Sequence, residues 1–215
     1  MTAETMVSAP RLKLIQKIGV GVNTIDLEEA VRRGIAVYNM PGTNTAAVAE
    51  MTIALMLTAL RKLTEFDRMA RRSAGWQLDA GSEAALGEIA GRTVGLVGSV
   101  ARRVAGVLAA MDAGVVYWSR TRQPDFPGRF LARDELLACS DIVSLHIPLT
   151  RETSHILDGH DIEPPDDDHP PLHADNVIVT PHVAWLTQQT WRRSLEVARE
   201  NVLRLNQGAL LQRVA

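Results

Sequence analysis

The apolar positions of this 215-residue chain fall into short runs divided by polar or glycine-rich turns. Thr93–Val97 is an apolar run that ends at Gly98, and a helical pattern follows from about Ser99. That order predicts a buried strand, a tight glycine turn and a helix start. Upstream, Arg11–Ile18 reads as a strand broken by Gly19-Val20-Gly21, and Ile35–Tyr38 as a second strand. Between them, Asp26–Arg33 predicts a short helix, with Asp26 as N-cap, Glu28 and Glu29 in the first turn and Gly34 as its stop. Strand, helix and strand in that order point to a parallel sheet.

From Thr43 or Asn44 a long helix is predicted, reaching Arg71. Between Ala46 and Leu60 it is apolar on nearly every face, with Glu50 its one charge. A helix of that kind is covered on most sides, which suggests a domain junction or a contact between subunits. Downstream of Gly98 the pattern gives a strand at Val115–Trp118, a helix at Arg133–Cys139 and a strand at Asp141–His146, one mononucleotide-binding half. Asn176–Thr180 reads as a last strand, and Thr187–Asn206 as an amphipathic helix with Trp191, Leu195, Ala198, Val202 and Leu205 on one stripe.

Composition narrows the classes. A net charge of −2 gives no electrostatic reason to expect nucleic acid or an anionic membrane as partner. The single cysteine, Cys139, forms no intramolecular disulfide and fits a cytoplasmic protein. The most apolar run, Met51–Leu60, falls short of the roughly 20 residues a membrane span needs. His160, His169 and His173 lie with Asp161 and Asp166–Asp168 in a proline-broken segment that fixes no ligand spacing, so no metal site is expected.

A strand, glycine turn and helix can hold a pyrophosphate on the helix N-terminus. Of the G-x-G-x-x-G/A fingerprint only Gly98-Ser99-Val100-Ala101 is present, and Leu96 stands where the first glycine would be. After the next strand, Ser119 replaces the acidic residue that binds the ribose of NAD, and Arg120 and Arg122 follow. Arginine there suits the 2′-phosphate of NADP, so NADP(H) is expected in preference to NAD(H), although a solvated basic loop has the same composition. Arg102 and Arg103 either meet phosphate as well or face solvent.

Leu14–Asp26, Asn39–Glu50, Gly91–Gly98, Ser140–Thr150 and Asn176–Trp185, in this order, resemble the D-isomer-specific 2-hydroxyacid dehydrogenases, the family of phosphoglycerate dehydrogenase and glyoxylate/hydroxypyruvate reductase. The resemblance implies an α/β fold, a reduced Rossmann-like parallel sheet with the remnant of a truncated flavodoxin-like substrate domain. Residues 1–42 with 184–215 would form the substrate part, and residues 43–183 the dinucleotide-binding part. It implies hydride transfer between NAD(P)H and a small 2-keto or 2-hydroxy acid of the glyoxylate or hydroxypyruvate type. His182 matches the general acid/base and Glu163 the carboxylate that raises its pKa. Val20 and Gly21 match the loop whose amides hold the substrate carboxylate, and Asn44 a polar residue of the same cleft. From its apolar faces, helix 45–61 is expected to join a homodimer.

Three departures accompany the resemblance. The family's opening strands are absent, the glycine loop is short, and a stretch between Gly159-His160 and Asp161 is missing. That stretch carries the family's substrate-binding arginine and two sheet strands. With those strands gone, Asn176–Thr180 is expected to pair directly with Thr93–Val97. The alternative reading is a degenerate member, catalytically impaired, that acts as a binding or dimerisation protein.

Overall fold

A computed structural model of the chain describes residues 1–72, 84, 86–98, 101–147, 153 and 177–208. The described residues fall into two compact units, Met1–Ala47 with 185–208 in one and Val48–Ile147 with 177–184 in the other. Both are α/β with parallel pairing.

In the first unit, helix α1 (Ala3–Val7) precedes strand β1 (Leu14–Gln16), helix α2 (Leu27–Arg32) and strand β2 (Ala36–Tyr38). β1 and β2 pair in parallel, with Ile15 opposite Val37. Asp26 caps α2 as the sequence predicts, its carboxylate accepting the Glu29 amide at 2.9 Å. Met6, Ile15, Ile25, Ala30, Ile35 and Val37 form the core. The strand predicted over Arg11–Ile18 pairs only across Leu14–Gln16.

The last helix of this unit, α7 (Gln188–Asn206), begins at the Thr187 N-cap. Its buried residues are Thr190, Ser194 and Asn201. Asn201 Nδ2 donates to Gln16 Oε1 at 2.6 Å, and Arg193 Nε donates to the Thr43 carbonyl at 2.7 Å. Of the predicted apolar stripe, Trp191, Leu195 and Val202 are exposed. The helix is therefore fastened by its polar side, because that side finds hydrogen-bond partners on β1 and at Thr43.

In the second unit a four-stranded parallel sheet runs in the order β5-β4-β3-β6. Its strands are β3 (Thr93–Val97), β4 (Gly114–Trp118), β5 (Arg129–Phe130) and β6 (Ile142–Leu145). Helix α5 (Ala101–Ala110) joins β3 to β4, and helix α6 (Arg133–Cys139) joins β5 to β6. β3 is the centre, with Val94 and Leu96 fully buried in one cluster with Val104, Ala105 and Leu108 of α5, and Val97 fully buried as well. Helix α3 (Thr45–Leu60) begins in the first unit and adds Ala49 and Met56 to this core.

Three expectations change here. The long helix to Arg71 is two helices, because Lys62 takes a left-handed conformation (φ +46°) and α4 (Leu63–Ala70) starts afresh after it. The helix after β3 is described from Ala101, and the expected start about Ser99 lies outside the described residues. The sheet half holds one strand more than the pattern gave: β5 lies outside β4, so β6 crosses to the other edge of β3. Residues 177–180 form no strand, and both edges of β3 are taken, by β4 and by β6, so nothing from 177–180 pairs with Thr93–Val97.

Candidate functional site

The strand order places a topological switch point between β3 and β6. The connection leaving β3 runs to β4 on one side, and β6 flanks β3 on the other. In open parallel sheets ligands bind beyond the carboxyl ends of the strands at such a point. Gly98 lies there, with φ +112°, and its amide donates to the Trp118 carbonyl at 3.0 Å. The His146 amide donates to the Val97 carbonyl at 2.7 Å, extending the β3–β6 ladder by one residue. A Cβ on Gly98 would collide with the His146 carbonyl group. The room that glycine leaves is thus filled by the neighbouring strand's own backbone. Ala101, the last fingerprint residue, is buried at the start of α5, while Ser99 and Val100 lie outside the described residues.

At the end of β4, Ser119 is buried and its hydroxyl donates to the Thr121 carbonyl at 2.7 Å. Arg120 and Arg122 are exposed, and neither pairs with an acid among the described residues. Two such guanidiniums beside a buried serine fit an anionic 2′-phosphate by the chemistry of the donor set. Arg102 is exposed, as one of the two sequence expectations has it, and it also has protein partners. It is engaged with backbone carbonyls, Nη1 with Pro124 at 3.2 Å and Nη2 with Asp125.

In the first unit the loop after β1 is tied to the chain after β2. Met40 N–H donates to the Gly19 carbonyl at 2.8 Å, and Asn39 Nδ2 donates to the Val20 carbonyl at 2.8 Å. The amides of Val20 and Gly21 donate to no group among the described residues. Two adjacent N–H groups with no acceptor among the described residues suit a carboxylate. Asn44 is half-buried in the same unit. Asn39 as the loop's fastening escaped the sequence reading, where it enters only as the first residue of the Asn39–Glu50 stretch.

His182 is exposed, at a bend after Pro181 in the second unit. Glu163 lies outside the described residues. Ser144 Oγ and His146 Nε2 are 3.0 Å apart, and burial holds the His146 imidazole below its ordinary range. Among the described residues no three His, Cys, Asp or Glu side chains gather as metal ligands, and no helix is long and apolar enough to cross a membrane.

The switch-point sheet and its glycine turn define an α/β protein of the dinucleotide-binding class. The family model of the D-isomer specific 2-hydroxyacid dehydrogenase catalytic domain matches residues 1–215, and the chain belongs to that family of oxidoreductases. It is 32% identical to a glyoxylate reductase from Aeropyrum pernix, covering 93% of this chain and 75% of that protein. The alignment spans 251 positions, more than the 215 residues of this chain, so some positions of the relative have no counterpart here. A crystal structure of the TT0316 protein from Thermus thermophilus superposes with a TM-score of 0.87 at 34% identity, covering 99% of this chain and 82% of that one. A D-lactate dehydrogenase from Aquifex aeolicus, solved with NAD and lactic acid, gives 0.84 at 26% identity, covering 97% and 80%.

Proposed function

We propose that the protein reduces a small 2-keto acid of the glyoxylate or hydroxypyruvate type, with NADP(H) preferred over NAD(H). The observation that carries this reading is the β3–β6 switch point, with Gly98 at its lip and the exposed Arg120 and Arg122 beyond the neighbouring strand β4. A relative at 32% identity carries the name glyoxylate reductase.

The cofactor, when bound, supplies the hydride. The chain's own residues do the rest. The Val20 and Gly21 amides hold the substrate carboxylate, and Asn44 lines the same cleft. His182 gives a proton to the ketone oxygen, and Glu163 raises the basicity of that imidazole. Ser119, Arg120 and Arg122 take the 2′-phosphate, while Gly98, Ser99, Val100 and Ala101 pass beneath the pyrophosphate. Residues 1–42 with 184–215 serve the substrate and residues 43–183 the cofactor. The protein works in the cytoplasm as a homodimer, joined through helix 45–61, whose outer faces are only half-covered.

Equilibrium binding tests the reading. NADPH at 100 times its Kd should raise stability by about 2.7 kcal/mol, read as a thermal shift. Glyoxylate should then discharge NADPH absorbance, and His182→Asn should stop turnover while leaving NADPH binding intact. A chain that binds neither NADPH nor NADH refutes the proposal. One observation favours the second reading, an impaired member that binds or dimerises: Leu96 stands where the first glycine of the fingerprint would be. That reading predicts a dimer with no cofactor-induced shift.

A further inference from the structure

The loop from Ser119 to Gly128, between β4 and β5, is fixed to the sheet at several points. Tyr117 on β4 donates its hydroxyl to the Gln123 carbonyl at 3.0 Å and accepts the Gln123 amide at 3.1 Å. Its ring stacks on Phe126, with centroids 3.9 Å apart and planes at 23°. Ser119 closes the first residues onto the Thr121 carbonyl. The tip, Pro124-Asp125, turns through a left-handed Asp125 (φ +56°). Arg102 reaches this tip from α5, and its two terminal nitrogens donate to the successive carbonyls of Pro124 and Asp125.

We propose that Arg102 is a positioning residue for cofactor selection: it fastens the loop tip to α5, so that Arg120 and Arg122 meet the 2′-phosphate as a preset pair. This rests on the reading of Ser119, Arg120 and Arg122 given above. The guanidinium is a planar fork, and two neighbouring carbonyls are a match that a lysine ammonium meets at one point only. With both terminal nitrogens engaged, Arg102 holds the segment that carries the phosphate ligands and is no phosphate ligand itself. Without it, the loop must be ordered when the phosphate arrives, and that entropy is subtracted from affinity. NADH has no 2′-phosphate to engage the pair, so its binding does not depend on the loop in this way.

The test uses the full chain, with Arg102→Ala, Arg102→Lys and Tyr117→Phe compared with wild type. Trypsin cleavage after Arg120 and Arg122, with no cofactor present, is timed against cleavage after the exposed Arg71. Arg102→Ala should speed cleavage at the loop and leave the Arg71 rate unchanged. The Kd for NADPH, read by fluorescence, should rise about tenfold while that for NADH stays within about twofold. Arg102→Lys should fall between, and Tyr117→Phe should show the same NADPH-selective loss. Unchanged cleavage, or equal loss for the two cofactors, overturns the positioning role. The variant Arg120→Ala/Arg122→Ala separates the two claims. If it leaves the NADPH-to-NADH ratio unchanged, the 2′-phosphate reading fails and cofactor selection by Arg102 fails with it, whatever the trypsin result.

Discussion

The backbone carbonyl of His146, one residue past β6, occupies the space that a side chain on Gly98, one residue past β3, would need. Gly98 also sits at φ +112°, where a Cβ is strained whatever the surroundings. Both effects act at the tip of the central strand, and the obstacle is backbone, which cannot swing aside. Gly98→Ala should therefore destabilise the fold by about 2–4 kcal/mol, strain and overpacking together. A urea midpoint with unchanged slope measures it. A loss below about 1 kcal/mol would mean that β3 and β6 are less closely joined than described.

The same junction makes stability depend on pH. Burial keeps the His146 imidazole neutral, so its folded pKa lies below the ordinary 6.5. The unfolded chain then binds more protons than the folded one in this range. The contribution is complete above about 6.5 and is lost as pH falls from there toward the folded value. His146→Gln keeps a hydrogen-bonding side chain opposite Ser144 and removes the titration. The melting temperature of wild type should fall more steeply between about pH 7 and pH 5 than that of the variant. Parallel curves would show that other groups set the acid limit.

Much of the fold is legible in the sequence, for local reasons. Asp26 marks its helix start because a carboxylate there accepts an orphan amide, and Arg133–Cys139 has the bounds its pattern predicts. β3 is legible because a strand flanked on both edges and covered by α5 must be apolar throughout. β5 escapes because two residues, Arg129 and Phe130, make no periodic pattern. Without it, the reading leaves β6 beyond β4, on the opposite edge of the sheet from the one it occupies. The site is legible where a motif is local, as at Gly98 or Ser119-Arg120. It is illegible where one residue acts on a distant segment, as Arg102 does on Asp125 or Asn39 on Val20.

Lys62 interrupts the predicted long helix by adopting φ +46° between α3 and α4. A β-branched residue tolerates that conformation worst and glycine best. Lys62→Val should be less stable than Lys62→Gly by about 1–2 kcal/mol, although valine would be tolerated better if the helix ran through. Thermal denaturation of the two variants decides. Equal stability, or valine ahead, would mean that α3 continues into α4 without a break.

Helix α7 inverts the usual expectation for an amphipathic helix, and substitution tests that directly. Its apolar Leu195 is 59% exposed, while its polar Asn201 is 8% exposed and donates to Gln16 Oε1. Gln16 in turn donates to the Tyr38 carbonyl at 3.2 Å, so Asn201 supports the pairing of β1 with β2 through one side chain. Asn201→Ala leaves the Gln16 oxygen without that donor and should cost about 1–2 kcal/mol. Leu195→Lys places a charge in solvent and should change stability by no more than about 0.5 kcal/mol. Urea denaturation of both variants gives the order. A large loss from Leu195→Lys together with a small one from Asn201→Ala would mean that the apolar stripe is the packed face. The helix would then be rotated by roughly a quarter turn from the position its hydrogen bonds give it.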